Sequence, residues 1–143
     1  MRLTTFTDFG LRALMRLAAE PGSSFTIDEI AGEFGISRHH LTKVIRDLAG
    51  ADYVRTQRGA GGGFRLARAP ETITLGEIVR RLEGRRAVVE CFRADGGACV
   101  LTPRCRLKSR LAAAGEAFLK ELDRTTLADC AYPGAPGGRP VTW

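Results

Sequence analysis

Residues 26–50, TIDEIAGEFGISRHHLTKVIRDLAG, contain two short amphipathic segments separated by a turn. Thr26 precedes the first segment as a capping residue, Gly35 supplies the turn, and Ser37 precedes the second segment. The apolar positions of both segments recur with the helical period and are expected to point inward: Ile27, Ile30, Ala31, Leu41, Val44, Ile45 and Leu48. Two short helices joined by a tight glycine-containing turn form a helix-turn-helix, whose second helix can lie in a DNA major groove.

The next segment, residues 52–68 (DYVRTQRGAGGGFRLAR), predicts a two-stranded hairpin. Two short alternating stretches flank a loop that is too rich in glycine to be helical. Hairpins are common in α+β proteins, so the hairpin alone would carry little information. Placed directly after a basic helix and with Arg58 at its tip, it is the wing that a winged helix-turn-helix requires.

The distribution of charge supports a polyanionic partner. The 143 residues carry a formal net charge of +6, which by itself is equally compatible with a well-solvated surface. Between Arg38 and Arg68, however, there are seven basic residues and only two acidic ones, Asp47 and Asp52. This concentration on the second helix and the hairpin favours double-stranded DNA.

Individual DNA contacts can be predicted from these positions. The first turns of the second helix present residues that can reach base edges, namely Ser37, Arg38, His39, His40, Thr42 and Lys43. Phosphate contacts are expected from Arg46, Arg55, Arg65 and Arg68, and a minor-groove contact from Arg58 among its glycines. Adjacent histidines do not share a helix face, so we interpret His39 and His40 as DNA contacts and not as metal ligands.

Helices are predicted on both sides of this unit. Thr7 or Asp8 can cap a helix reaching about Glu20, and Thr74 can cap LGEIVRRLEG. The apolar stripe of the first helix is Phe9, Leu11, Leu14, Met15, Leu17 and Ala18. Residues 1–84 are therefore predicted to form a mainly α domain with a small β-wing, a winged helix-turn-helix DNA-binding domain.

A longer helix is predicted to start at Thr102 and Pro103. Its apolar seam comprises Leu107, Leu111, Ala114, Phe118 and Leu122. A narrow seam on a charged helix favours pairing with a second copy of the chain, although packing against its own domain is an alternative. Residues 102–130 are accordingly predicted to be a dimerisation helix with a terminal turn, and the proline- and glycine-rich residues 131–143 a disordered tail.

No segment has the length of about 20 apolar residues that a membrane span needs, and the N-terminus does not resemble a signal peptide, so a cytoplasmic protein is expected.

Three of the four cysteines cluster in residues 85–105. Stable disulfides are not expected in the reducing cytoplasm. Seven residues separate Cys91 from Cys99 and five separate Cys99 from Cys105, in a polar, glycine-containing loop. Three thiolates at this spacing favour one soft metal centre over simple burial and leave a fourth coordination position.

From Met1 to Cys130 the chain resembles the family of iron-sulfur winged-helix repressors. The resemblance is carried by MRLTTFTDFGLRAL, ISRHHLTKVIRDL, VRTQRGAGGGFRLA, ITLGEIVRRLE and VECF with CVLTPRCRLK. It implies a homodimeric repressor on a DNA operator, with an iron-sulfur cluster held by Cys91, Cys99 and Cys105. A [4Fe-4S] cluster is favoured and a [2Fe-2S] cluster is possible.

The resemblance also suggests the fourth ligand and the signal. One branch of the family has a histidine three residues after the last cysteine, where this chain has Lys108. The nitric-oxide-sensing branch uses an aspartate donated by the partner subunit in a segment like TDFGLR, which implies Asp8 as ligand and nitric oxide as signal. Without the resemblance, Asp8 would be interpreted as a carboxylate that stabilises a helix N-terminus. Cys130 is expected to be a buried or free thiol.

Other functions are less well supported. Within the family, an iron-responsive or cluster-status regulator is an alternative. Outside it, a zinc or redox metal protein without a DNA role is possible, but the predicted recognition helix and wing argue against it. An enzyme is not expected, because no nucleophile-base pair, phosphate loop or paired carboxylates are evident.

Overall fold

The computed structural model describes residues 2–59, 62–84, 89–101 and 104–134. In chain order the helices and strands are α1 (Thr5–Ala19), α2 (Ile27–Phe34), α3 (Arg38–Gly50), β1 (Val54–Gln57), β2 (Gly63–Leu66), α4 (Leu75–Glu83) and α5 (Arg106–Leu122). Short 3-10 turns lie at Pro70–Thr72, Glu90–Phe92 and Ala128–Cys130. This is the predicted architecture, mainly α with a two-stranded wing. No helix in the described ranges has the length and hydropathy to cross a membrane.

The α2-turn-α3 unit forms from local signals. Thr26 and Glu29 cap α2 reciprocally: the Glu29 N–H donates to Thr26 Oγ1 at 3.2 Å, and the Thr26 N–H donates to Glu29 Oε2 at 2.7 Å. The hydrogen bond from the Thr26 backbone, followed by that from its side chain, holds the pKa of the Glu29 carboxyl below its ordinary value. Gly35 ends α2 with φ of 63°, a left-handed conformation that glycine adopts without strain.

The core lies where α1, α3 and α4 cross. Leu14, Leu41 and Ile78 are fully buried in it. Gly10 of α1 allows α4 to approach closely: a Cβ at this position would collide with the Leu82 side chain of α4 and lie 3.4 Å from Val44 of α3. The helix that carries Asp8 is therefore packed directly against the predicted recognition helix.

The first helix begins earlier than predicted. Thr4, and not Thr7 or Asp8, is its N-cap, and the Thr4 hydroxyl oxygen accepts a hydrogen bond from the Thr7 N–H at 3.2 Å. The Thr4 N–H in turn donates to Glu83 Oε1 at 2.7 Å, at the end of α4. Thr4, Thr7 and Asp8 are all residue types that can cap a helix, and the contact of Thr4 with Glu83 comes from a residue far away in the sequence.

The wing is a two-stranded antiparallel hairpin with Arg55 opposite Arg65 and Val54 opposite Leu66. Phe64 is buried, and its backbone exchanges hydrogen bonds of 2.8 and 2.9 Å with Phe25, in the segment before α2. The wing is thus attached to the helix-turn-helix through its inner strand.

The α5 helix packs on α4. Gly76 is required there, because a Cβ at this position would collide with Asp123 and approach the Leu119 carbonyl at 2.9 Å. Arg80 forms a two-pronged ion pair with Asp123 at 2.6 and 2.7 Å. The described helix starts at Arg106 with Cys105 as N-cap, and the predicted start at Thr102 and Pro103 lies outside the described residues.

The chain returns to the core after α5. Leu127 is fully buried, and the Tyr132 N–H donates to the Met15 carbonyl oxygen at 2.9 Å. The Tyr132 ring lies 5.8 Å from the Phe34 ring. Residues 131–134, expected to belong to a disordered tail, are therefore packed on α1 and α2, because an aromatic side chain among the glycines and prolines finds an apolar partner. Residues 135–143 lie outside the described part.

Candidate nucleic-acid interface and cysteine loop

The helical period divides α3 into an inner and an outer face. Leu41, Val44, Ile45 and Leu48 are buried. The predicted DNA-contacting positions are all exposed, and they are Ser37, Arg38, His39, His40, Thr42, Lys43 and Arg46. The structure thus leaves every predicted position accessible to solvent, as a helix entering a major groove requires.

Two contacts position the start of this surface. Arg38 Nε lies 2.8 Å from Asp28 of α2, and the Thr42 hydroxyl donates to the Arg38 carbonyl oxygen at 2.7 Å. The Arg38 and Asp28 side chains are 71% and 64% exposed. An ion pair this exposed contributes little to stability, so Arg38 can exchange Asp28 for a phosphate or a base edge.

The wing places two like charges opposite each other. Arg55 and Arg65 form a cross-strand pair, and both side chains are exposed. Like charges directly opposite on one sheet face destabilise a hairpin, and an anion bound between them removes that cost. Arg58 follows β1 and is exposed, and Gly59 has φ of 100°; Ala60 and Gly61 at the tip lie outside the described residues.

Arg68, a predicted phosphate contact, has protein partners. Its guanidinium donates to Glu77 Oε1 at 2.8 Å and to the Thr72 carbonyl oxygen at 3.0 Å. It also lies 5.6 Å above the centre of the Tyr53 ring. No periodicity links these residues in the sequence, because the partners come from different elements.

Asp8 lies in the first turn of α1 and pairs with Arg12 one turn later. The distances are 2.9 Å from Arg12 Nη2 to Asp8 Oδ2 and 3.2 Å from Arg12 Nε to Asp8 Oδ1. The Asp8 side chain is 45% exposed. Arg12 was not among the predicted site residues, although its spacing of four residues from Asp8 is that of a helical ion pair.

The three clustered cysteines border the segment between α4 and α5. Cys91 lies in the turn Glu90–Phe92, Cys99 in the following loop, and Cys105 caps α5. All three are half-exposed free thiols, as is Cys130 after α5. Within the described residues, no three histidine, cysteine or acidic side chains are close enough together to hold one metal ion. The donor chemistry nevertheless suits an iron-sulfur cluster, because accessible thiols outside disulfides are the ligands that such clusters take.

The predicted dimer seam is incompletely covered by its own chain. No residue of α5 is buried; Leu107 is 62% exposed, Ala114 is exposed, and Leu111, Phe118 and Leu122 are half-buried. Beside it runs an open groove of about 610 Å³. The apolar side chains that line this groove include Leu3, Val79, Phe92, Leu111, Phe118 and Leu119.

Comparison with known proteins identifies the family. Residues 3–133 match the Rrf2 family, described as an iron-dependent transcriptional regulator. The chain belongs to the Rrf2 family. It is 47% identical over 130 residues to the HTH-type transcriptional regulator NsrR of Geobacillus kaustophilus, covering 90% of this chain and 88% of that protein. It is 48% identical to NsrR of Bacillus subtilis, covering 90% and 89%.

Solved structures of the Rrf2 type share the fold. The structure described as T. potens IscR superposes with a TM-score of 0.72 at 30% identity, covering 90% of this chain and 85% of that one. The predicted family, the winged-helix fold class and the function of a DNA-binding transcription repressor are thereby confirmed.

Proposed function

We propose that this Rrf2 member is a homodimeric repressor without enzymatic activity that acts in the cytoplasm on a double-stranded DNA operator. Nitric oxide, through an iron-sulfur cluster, would release it from that operator. The main structural support is the pairing of an exposed basic α3 face with a wing on which Arg55 and Arg65 stand opposite each other. Such a surface is stabilised by a polyanion.

The DNA contacts divide by position. Residues on the first turns of α3, from Ser37 to Lys43, would contact base edges in the major groove. Arg46, Arg55 and Arg65 would bind phosphates, and Arg58 would enter the minor groove beside the wing tip. Two copies joined along α5 would place two recognition helices in successive major grooves about 34 Å apart.

The cluster would be held by Cys91, Cys99 and Cys105 of one subunit and by Asp8 of the partner subunit. A [4Fe-4S] cluster is favoured, with [2Fe-2S] as the alternative. When bound, the cluster supplies iron that nitric oxide can attack. Asp8 offers a carboxylate oxygen, a harder and weaker ligand for such iron than a thiolate, so it would be the ligand displaced most easily.

The protein's own contacts suggest how this site would affect DNA binding. Asp8 is in the first turn of α1, and two residues later Gly10 lies against both Val44 of α3 and Leu82 of α4. A change in the position of Asp8 would therefore move a helix that is in direct contact with the recognition helix. Because both half-sites must be engaged together, a small rotation would cost many DNA contacts at once.

Replacement of Asp8 and of the cysteines tests this proposal. After anaerobic purification, Cys99→Ala is expected to lack the cluster, whereas Asp8→Ala should keep iron and sulfide but show a changed absorption spectrum and a changed rate of reaction with nitric oxide. Cys130→Ala is the matched control and should behave as wild type. Operator binding is measured by gel shift before and after nitric oxide.

Each result bears on a different part of the proposal. Wild-type iron content in Cys99→Ala would remove the cluster assignment. An Asp8→Ala protein with the spectrum, kinetics and DNA affinity of wild type would make Asp8 a helix-stabilising carboxylate only. Iron itself is the second candidate signal, favoured by the iron-dependent description of the family; release from DNA by an iron chelator, but not by nitric oxide, would select it.

A further inference from the structure

One face of α4 contacts both DNA-binding elements. Glu77 and Arg81 are one helical turn apart, so their side chains lie on the same face. Arg81 Nη2 lies 2.9 Å from Asp47 Oδ1 of α3, and Glu77 Oε1 accepts from Arg68, just after β2, at 2.8 Å. We call Asp47, Tyr53, Arg68, Glu77 and Arg81 the α4 polar cluster.

Asp47 has no evident role within α3 itself. It is the single acidic residue of that helix and lies in its last turns, where a carboxylate faces the negative end of the helix dipole. A negative charge on a DNA-binding helix also repels phosphate. The contact with Arg81 gives this residue a function, because it ties the end of the recognition helix to α4.

The wing is held at its base by the other half of the cluster. Tyr53 immediately precedes β1, and Arg68 follows β2 by two residues. The Arg68 guanidinium lies over the Tyr53 ring and donates a hydrogen bond to Glu77. Burial, followed by the charge of Glu77, raises the pKa of Tyr53, so the phenol keeps its proton. Arg68 thus joins both ends of the hairpin, its own and that of Tyr53, to Glu77 of α4.

These contacts are better suited to orienting α3 and the wing than to stabilising the fold. The side chains of both ion pairs are between 34% and 44% exposed, and pairs of this exposure stabilise a fold by little. Their geometric effect is larger, because the angle between α3 and the wing decides whether major-groove and minor-groove contacts form on the same DNA site.

We propose that Glu77 and Arg81 are positioning residues for DNA recognition, which set the recognition helix and the wing in a fixed relative orientation from one face of α4. The inference rests on the proposed function only in that DNA is the ligand, and it does not depend on the identity of the signal. Neither residue touches DNA itself; each acts through Asp47 or through Arg68 and Tyr53.

Double variants that keep the net charge separate an effect on the orientation of α3 and the wing from an effect of the net charge on DNA affinity. Asp47→Asn with Arg81→Gln, and Arg68→Gln with Glu77→Gln, each remove one ion pair without changing the net charge. The matched control is Glu121→Gln with Arg124→Gln, which removes a pair at the C-terminal end of α5 whose side chains are 71% and 78% exposed. The probes are duplexes that the wild-type protein, purified with its cofactor, selects from a random library, and a scrambled duplex of the same composition at the same salt.

The expected result is a loss of selectivity without a loss of general DNA affinity. In each test variant the ratio of selected to scrambled affinity should fall roughly tenfold. Binding to the scrambled duplex is judged on Asp47→Asn with Arg81→Gln, which removes no predicted phosphate contact, and it should stay the same there because the net charge is unchanged. In Arg68→Gln with Glu77→Gln, the loss should be concentrated at A/T positions under the wing. Arg81→Lys, which keeps the charge but loses the planar fork, should give an intermediate ratio.

Several outcomes would overturn the inference. One is an unchanged ratio in both test variants; another is a fall of the same size in the α5 control. If a double variant does not show a cooperative thermal transition, the single variants Arg81→Lys and Glu77→Asp replace it. A wild-type ratio of selected to scrambled affinity in both single variants would also refute the inference. A wild-type protein that selects no sequence at all would instead refute the proposed function.

Discussion

The DNA-binding domain and the region formed by the cysteine loop and α5 differ in how they are stabilised. Within the described residues, every buried hydrophobic side chain except Leu127 lies between Ala13 and Leu82. Helix α5, the longest helix at 17 residues, has none. The first region therefore folds around its own core, whereas the second makes its contacts from half-buried side chains.

Exposure shows the same contrast. The large hydrophobic residues that are most exposed are Val100, Leu101 and Leu107, and all three lie in the second region. Val100 is 89% exposed and adjacent to Cys99. Apolar side chains grouped in this way mark a surface that another molecule covers. One region is thus complete as a single chain, and the other would be completed by the second copy proposed above.

The largest effect is expected where α5 would meet a second copy. Leu111→Gln with Phe118→Gln should yield folded monomers, because no α5 residue belongs to the buried core, and operator affinity should fall by about 100-fold or more once the half-sites bind independently. Sedimentation velocity and gel shifts measure the two quantities. The control is Ala113→Gln, at an exposed position on the same helix. Dimers that persist in the double variant would place the interface elsewhere.

A smaller effect is expected at the wing. Arg58→Ala should weaken operator binding about tenfold and flatten the preference for A/T-rich positions, because an arginine in a narrow minor groove senses its width. Dimerisation and cluster content should stay at wild-type values, which keeps the defect within the DNA-binding domain. Gel shifts at fixed salt against substituted operators measure this, with Arg124→Ala as a control of equal charge change. Unchanged affinity and preference would remove the wing contact.

The smallest effect is expected in stability alone. Thr26→Ala should lower the free energy of unfolding by about 1 kcal/mol at neutral pH, because it removes the capping box of α2. The pKa of Glu29 is lowered in the folded chain, so its contribution is present above the unfolded pKa and is lost as the pH falls through the folded value. The difference in free energy of unfolding between variant and wild type should therefore become smaller as the pH falls below about 4. Urea unfolding at several pH values tests this, with Glu121→Gln as control; a difference that does not change with pH would contradict it.

Local signals predicted the helix-turn-helix correctly. Thr26 and Gly35 act on residues within one turn of themselves, and the helical period alone separated the buried Leu41 from the exposed Lys43. Distant contacts could not be predicted in this way. Thr4 could not be distinguished from Thr7 and Asp8 as the α1 cap, because its contact with Glu83 joins distant residues. The pairing of Arg68 with Glu77 likewise depends on the packing of α4 under the wing. The DNA contacts and cluster ligands named from the sequence remain predictions.

Gly10 has a consequence for mutational tolerance. In a helix, alanine is ordinarily the gentlest replacement for glycine and even favours the helical state. Here a single methyl group would force the end of the buried Leu82 side chain to move, at the crossing of three helices. A position that hydropathy would class as permissive is therefore constrained by packing, and variation among natural sequences should be narrower at Gly10 than at the exposed residues of α3.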